Sequence, residues 1–327
     1  MSTIPVVNLA AFLDGSDEDQ KRIGAEVDEI CRSIGFLIIE QHGIEKHVID
    51  DAWSATRAFF DLPMDEKLQS ESPAADCPRG YFPFAAEALA QSLGVETPPD
   101  IKESFGIGPT GEPPRTLTDE EFDFHFGENI WPARPANLRA ALTKYYDEME
   151  ALGLRVLQLF AAALELPHDY FAECHTAPRC ALRCLNYPAV DKPPLVNQRA
   201  AGEHSDYGSF TMLKSDPKIS GLEIKLASGD WTAAPLVQDA FIVNIGDMMA
   251  RWTNDRWVST LHRVTSPQVQ DGGTSRRQSI AFFHNANFDA RIECISTCRD
   301  NDGSQKYPPV EAGDYLMRRF KSALALN

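Results

Sequence analysis

The spacing of apolar residues changes near Pro178, and this change limits the folds available to the chain. Before it, Asn137 to Leu166 carries apolar side chains three and four residues apart, the pattern of an amphipathic helix. After it, short segments such as Leu222 to Leu226 alternate apolar and polar residues, with Gly, Asp and Asn between the segments. Because a period of two is typical of half-buried strands, we predict that residues 178–290 form a β-barrel or jelly roll.

Helical patterns flank this β-rich segment on both sides. In the N-terminal region, residues 1–170, Ser16 is a candidate N-cap and Gly35 a candidate stop for one amphipathic helix. A last helix is predicted within residues 310–327. The expected class is therefore α+β, mainly β, with helices at both ends of a single domain spanning residues 1–327.

Residues 62–135 are rich in Pro and Gly, which makes long regular helices improbable there. Loops this long inside a compact protein usually have a function or are disordered. Embedded aromatic residues favour ordered loops, and we predict that this segment forms a wall of a substrate pocket. An equally good alternative is that the aromatic residues only attach the loops to the core.

Composition limits the partners and the cellular location. The net charge of −17 disfavours nucleic acid, because phosphate contacts need clustered Lys and Arg. No apolar run is long enough to span a bilayer, and the N-terminus lacks the pattern of a signal peptide. The seven cysteines form no C-x-x-C pair. We therefore expect a cytoplasmic protein with reduced thiols, and the sequence predicts no particular oligomeric state.

Two histidines and an aspartate form a candidate metal site. His204 and Asp206 are one residue apart at the start of a predicted strand, so their side chains face the same way. His262 lies in another strand-like run, which antiparallel pairing could bring beside them. Two imidazoles and one carboxylate leave one face of an octahedral metal open, as in non-haem Fe(II) oxygenases. Taken singly, a core histidine and an aspartate turn cap are the commoner roles.

Arg277 and Ser279 form a second candidate site, for a carboxylate beside the metal. They are two residues apart on a predicted strand, so both side chains point to the same side of the sheet. A guanidinium and a hydroxyl together offer several donors to a carboxylate.

These residues lie within ordered sequence blocks that resemble the Fe(II)/2-oxoglutarate-dependent oxygenases of the isopenicillin N synthase-like group. The blocks are Ile4–Asn8, Gly35–Gly43, Glu203–Gly208, Gly221–Glu223, Val243–Asp247, Trp252–Asn254, Ser259–Val264 and Arg277–Phe283. The resemblance implies a double-stranded β-helix, a cupin-like jelly roll, as the catalytic core. It implies that His204, Asp206 and His262 bind Fe(II). It also implies that Arg277 and Ser279 take the distal carboxylate of 2-oxoglutarate, with Tyr187 adding a hydroxyl.

The resemblance further implies that dioxygen is consumed, 2-oxoglutarate is converted to succinate and a small organic molecule is hydroxylated, desaturated or cyclised. Ascorbate is expected as a supporting reductant. The candidate substrate residues are Arg79, Tyr81, Phe82, Ser104, Phe105 and Phe283. Three alternatives stay open: an isopenicillin N synthase-like oxidase that does not use 2-oxoglutarate, a zinc hydrolase and a non-catalytic binding protein on a β-barrel.

Overall fold

The computed structural model describes residues 4–74, 77–95, 97–189, 197–265 and 275–324, so the last three residues of the predicted segment 310–327 lie outside it. The helices are α1 (Leu9–Leu13), α2 (Asp17–Ser33), α3 (Lys46–Phe60), α4 (Met64–Leu68), α5 (Asp119–Phe126), α6 (Leu138–Ala163), α7 (Asp247–Trp252) and α8 (Ala312–Leu324). The strands are β1 (Val6–Asn8), β2 (Phe36–Glu40), β3 (Gly80–Phe82), β4 (Glu103–Ile107), β5 (Ala181–Tyr187), β6 (Ala201–His204), β7 (Phe210–Ser215), β8 (Leu222–Lys225), β9 (Trp231–Ala233), β10 (Phe241–Ile245), β11 (His262–Val264), β12 (Arg277–His284), β13 (Arg291–Ile292) and β14 (Val310–Glu311).

Two sheets form the core of the molecule. The larger has eight strands in the order β1-β2-β10-β7-β12-β5-β4-β3, and the smaller has four in the order β6-β11-β8-β9. Residues from both sheets line one cavity, which therefore lies between them. The predicted jelly roll with flanking helices is confirmed.

The N-terminal half contributes four strands to the large sheet in addition to its helices. The apolar strand β2 pairs with β10, and β1 pairs with β2 at the sheet edge. Within the Pro- and Gly-rich segment 62–135, β3 and β4 extend the opposite edge by pairing with each other and with β5. Four of the eight strands in the large sheet thus come from before residue 178. Backbone pairing brings this part of the chain up to the cavity.

Helices cover the outer face of the large sheet. A capping box at Ser16 starts α2, and Gly35 ends its last turn with a φ of 64°, as the sequence predicts. The long helix α6 is buried along one side and approaches β12 closely at Gly153. A Cβ at this glycine would lie 2.1 Å from the ring of His284, so only glycine fits there.

Among the described residues, we find no helix that is long and apolar enough to cross a membrane.

Candidate metal and cosubstrate site

Strand pairing brings the three predicted metal ligands together. His262 on β11 lies directly opposite His204 on β6, and Asp206 follows β6 by two residues. Nε2 of His204 and Nε2 of His262 lie 3.9 Å and 3.8 Å from Oδ1 of Asp206. One ligand atom from each residue fits within 4.8 Å of the other two, the spacing expected for donors around a single ion.

Neighbouring polar groups select which atom of each ligand faces the metal position. Nδ1 of His204 lies 2.8 Å from the carbonyl oxygen of Gly202, and Nδ1 of His262 lies 3.1 Å from that of Thr260. A carbonyl can only accept, so each Nδ1 carries the proton and each Nε2 keeps a free lone pair. This is the arrangement usual for metal-bound imidazoles.

The carboxylate of Asp206 is oriented in the same way. Its Oδ2 accepts hydrogen bonds from Thr211 Oγ1 at 2.5 Å and from Asn244 Nδ2 at 2.7 Å. Oδ1 is therefore left to face the two imidazoles. The side-chain amide of Asn244 therefore contacts the ligand directly.

Electrostatics favour the ligand forms of these side chains. Burial lowers the pKa of His204, and the neighbouring His262 lowers it further, so the imidazole is neutral at pH 7. Burial alone would raise the pKa of Asp206. The two histidines, Asn244 and Thr211 outweigh this effect and lower it, so the carboxylate is ionised. Neutral imidazoles and an ionised carboxylate are the forms that bind a metal, and this donor set fits Fe(II).

Arg277 and Ser279 point into the same cavity, as predicted. Arg277 is 1% exposed; its Nη2 donates to Ser215 Oγ at 3.0 Å and its Nη1 approaches Ser279 Oγ at 3.4 Å. Nε has no partner, and no described acidic side chain forms an ion pair with this guanidinium. A buried cation without a counter-ion is costly, so the position fits an anionic ligand.

Tyr187 lies beside this arginine. It is opposite Arg277 in the β5–β12 pairing, and the guanidinium carbon lies 5.0 Å from the centre of its ring. The observed contact is therefore a cation–π interaction.

A cavity of about 430 Å³ is lined by the three candidate metal ligands, by Arg277 and by residues of the segment 62–135. Four of the six predicted substrate residues border it: Arg79, Tyr81, Phe82 and Phe283. The hydroxyl of Tyr81 does not face the cavity, because it donates to Glu103 Oε2 at 2.5 Å.

Ser104 and Phe105 do not line the described cavity. The ring of Phe105 packs against Phe59 of α3 on the outer face of the sheet, 4.9 Å between centres. Ser104 accepts a hydrogen bond from Arg183 Nε at 3.2 Å. Adjacent residues of a strand face opposite sides, so both could not have faced the cavity.

A buried ion-pair network forms part of the same wall. Glu87 contacts Arg183 at 2.6 Å and Lys102 at 3.3 Å, and Lys102 also contacts Asp100 at 2.6 Å. Burial by itself would raise the pKa of Glu87, but the two cations outweigh it and lower the pKa to about 2. The second oxygen of Asp100 accepts from the backbone of Gly202, so the network also holds β6 in place.

Sequence reasoning missed Ser215 and Thr211. Both lie on β7, where Thr211 stands between the buried residues Phe210 and Met212, and Ser215 is opposite Ser279 in the β7–β12 pairing. The available signal was two hydroxyl residues four positions apart on a strand that follows the His-x-Asp motif. Their partners become visible only once the strand register is known.

Comparison with known proteins agrees with this geometry. Residues 4–134 match the N-terminal domain of the non-haem dioxygenases in morphine synthesis, and residues 178–286 match the 2OG-Fe(II) oxygenase superfamily. The chain is 32% identical to homoarginine-6-hydroxylase 2-ODD-233 of Oryza sativa subsp. japonica, covering 93% of this chain and 90% of the relative. It is 33% identical to the 2-oxoglutarate-dependent dioxygenase citB of Monascus ruber, covering 99% and 96%.

Solved structures show the same fold. A full-length Neurospora crassa protein in complex with alpha-KG and thymine superposes with a TM-score of 0.84 at 29% identity, covering 98% of this chain and 96% of that one. A 2OG-Fe(II) oxygenase family protein from Caulobacter crescentus gives a TM-score of 0.83 at 27% identity, covering 98% and 99%. These similarities favour 2-oxoglutarate use over the isopenicillin N synthase-like alternative. The chain belongs to the 2OG-Fe(II) oxygenase superfamily and is a 2-oxoglutarate-dependent dioxygenase of small molecules.

Proposed function

We propose that His204, Asp206 and His262 hold the Fe(II) ion of this dioxygenase, and that Arg277 and Ser279 hold the distal carboxylate of 2-oxoglutarate. The observation that carries the second assignment is the buried guanidinium of Arg277, which no described acidic side chain neutralises. A carboxylate supplies the missing negative charge.

When bound together, iron, 2-oxoglutarate and dioxygen would supply an oxidant strong enough to remove hydrogen from an unactivated carbon of the substrate. The side chains of the protein bind these groups and orient them. Thr211 and Asn244 fix the carboxylate of Asp206, so that one of its oxygens faces the metal position. Ser215 and Ser279 accept hydrogen bonds from Arg277 and so orient its guanidinium group towards a carboxylate.

We propose that Tyr187 contributes its hydroxyl to the same cosubstrate. Its ring is 3% exposed and lies beside the Arg277 guanidinium, so it also shields that charge from water. Shielding strengthens the pairing of Arg277 with a bound carboxylate.

The organic substrate is proposed to occupy the part of the cavity beyond the metal position, against Phe82 and Phe283. Support for a small molecule comes from the cavity volume of about 430 Å³, which lies within the usual range for such ligands. The Oryza relative is named a homoarginine-6-hydroxylase, and the Neurospora structure contains thymine. Ser104 and Phe105 are left out of this proposal.

We further propose that the chain works as one domain in the cytoplasm and does not bind nucleic acid. All seven cysteines are free thiols, as a reducing compartment favours. The net charge of −17 opposes contact with phosphate backbones. Strands from both halves of the chain share one sheet, so neither half is a separate β-unit.

The test is turnover of 2-oxoglutarate by the purified protein with Fe(II), ascorbate and dioxygen, followed as succinate. We expect slow formation of succinate without added substrate. The variant His262→Ala should lose both bound iron, measured by elemental analysis after anaerobic loading, and succinate formation, while circular dichroism stays unchanged. Full iron content and turnover in this variant would remove His262 from the site.

A further inference from the structure

Two buried arginines lie in the wall of the cavity at the end remote from Arg277. Arg79 immediately precedes β3, and Arg179 lies two residues before β5. They are 2% and 7% exposed, and both border the cavity. Arg277 and Tyr187 occupy the other end of the β5–β12 pair.

Both guanidinium groups donate to the carbonyl oxygens of Pro109 and His125. Arg79 donates to the carbonyls of Phe124 at 2.8 Å and His125 at 3.0 Å, in the last turn of α5. Arg179 also donates to His125, and to Pro109 at 3.2 Å. These contacts hold α5 against the cavity, because cations are favourable at a helix C-terminus.

The carbonyls do not neutralise two positive charges. No described acidic side chain forms an ion pair with Arg79 or Arg179, and Nε of each has no hydrogen-bond partner. Burial lowers the pKa of Arg179 to about 10, so it is still charged at neutral pH. Glu150 acts electrostatically on Arg179 and Asp123 on Arg79, but neither forms an ion pair with them. Two adjacent buried cations left without a direct partner are unfavourable unless an anion joins them.

The strand register gives the distance from this pair to the metal position. Thr211, which donates to Asp206, is opposite Phe283, and Phe283 is opposite Ala181. The Cα atoms of Thr211 and Arg179 are therefore separated by two strand spacings across the sheet and by the two residues from Ala181 back to Arg179. The resulting distance is about 12 Å. The arginine side chain covers part of this distance, so a small molecule can span the remainder.

The wall between the two positions is apolar. Phe283 of β12, Phe124 of α5, and Leu316 and Phe320 of α8 border this part of the cavity. The rings of Phe124 and Phe320 pack edge to face, 5.2 Å between centres. An apolar ligand body would replace water here at a gain of free energy.

We propose that Arg79 and Arg179 bind the carboxylate of the organic substrate, which is therefore a small apolar acid. The proposal rests on the proposed function, because the metal position determines which end of the substrate is oxidised. The carboxylate pairs with the guanidinium groups where they border the cavity, and the apolar body extends past Phe283 towards Asp206. Oxidation is then expected at a carbon remote from the acid group.

The test compares ω-phenylalkanoic acids having two to six chain carbons with their matched primary amides. Dissociation constants are measured by calorimetry, without dioxygen, on protein loaded with Fe(II) and 2-oxoglutarate. We expect the best acid to bind wild-type protein roughly ten- to hundredfold more tightly than its amide, because hydrogen bonds between charged groups are the stronger ones. If no acid in the series binds more tightly than its amide, the proposal is wrong.

Two variants assign the preference to this position. Arg179→Gln should bind the acid as weakly as the amide while its affinity for the amide is unchanged. The control Arg291→Gln removes an exposed arginine from β13 and should keep the full preference. Retention of the preference in Arg179→Gln would overturn the assignment.

Arg179 also holds α5, so its replacement can affect folding. Melting temperature and circular dichroism of Arg179→Gln are therefore compared with those of Arg179→Lys, which keeps the charge and should keep part of the preference. If neither variant folds, the wild-type comparison of acids with amides decides alone. Failure of this proposal leaves slow succinate formation intact, whereas failure of the proposed function abolishes it.

Discussion

Replacement of Arg277 by Gln should raise the requirement for 2-oxoglutarate sharply. Arg277 is 1% exposed and donates one N–H each from Nη1 and Nη2 to Ser279 and Ser215, which leaves the second N–H of each Nη for a ligand. Two hydrogen bonds to a carboxylate at about 1.5 kcal/mol each amount to about 3 kcal/mol. This loss corresponds to a roughly hundredfold increase in the apparent KM for 2-oxoglutarate.

The assay is succinate formation at a series of 2-oxoglutarate concentrations, with iron content measured on the same samples. Iron binding should be unchanged, because Arg277 donates to none of the three metal ligands. Arg276→Gln is the matched control: this neighbour points to the other face, where it contacts Asn186 and Asp61. An unchanged KM in Arg277→Gln would show that 2-oxoglutarate binds elsewhere.

Stability provides a second readout of the same variant. Gln at position 277 removes a buried, uncompensated charge, so the melting temperature without 2-oxoglutarate should not fall below that of wild-type protein. Added 2-oxoglutarate should raise the melting temperature of wild-type protein and hardly affect the variant. A drop in the melting temperature of the ligand-free variant would contradict the view that Arg277 is an unpaired cation.

Three further predictions concern a contact of a metal ligand, an ion pair in the cavity wall and the packing of α6. Asn244→Ala removes a hydrogen bond of 2.7 Å to Asp206 and should weaken Fe(II) binding roughly ten- to hundredfold in anaerobic titration, whereas unchanged binding would refute this positioning role. The pKa of Glu87 is lowered to about 2 from 4.5, so its stabilising contribution is complete above that usual value and is lost as the pH falls towards 2. Glu87→Gln should therefore have a lower melting temperature than wild-type protein at pH 7. The difference in melting temperature should be smaller at pH 3. An equal difference at the two pH values would exclude ionisation of Glu87 as the cause. Gly153→Ala should destabilise by up to about 2 kcal/mol in calorimetry, because an overpacking cost of about 1–3 kcal/mol is offset by a helix-propensity gain of roughly 1 kcal/mol.

The ligands of the metal could be predicted from the sequence because they depend on local spacing. His204 and Asp206 share a face of one short segment, and an antiparallel neighbour was the simplest way to add His262. Ser215 could not be assigned, since its role comes from lying opposite Ser279 on another strand. Register between distant strands is set by the whole sheet, which a local pattern does not reveal.

The segment 62–135 contains two strands that the local pattern did not indicate, for a related reason. Its Pro and Gly residues indicated loops, yet β3 and β4 pair with β5 and complete the edge of the large sheet. Alternation along β4 then directs Phe105 to the helices and leaves Ser104 beside Arg183. The aromatic residues divide between the two roles that the sequence leaves open: Phe82 lines the cavity, whereas Phe105 attaches the strand to the core.

The β5–β12 pair places a buried cation at each end of the cavity, with the metal position between them. Arg277 is joined by two hydroxyls and the ring of Tyr187, so its end suits a short, strongly polar acid such as 2-oxoglutarate. Arg179 is followed by an apolar wall, so its end suits an acid with a hydrophobic body. Positive charge at both ends would attract either acid to either end. The polarity of the adjoining walls is therefore what assigns each acid to its own side of the iron.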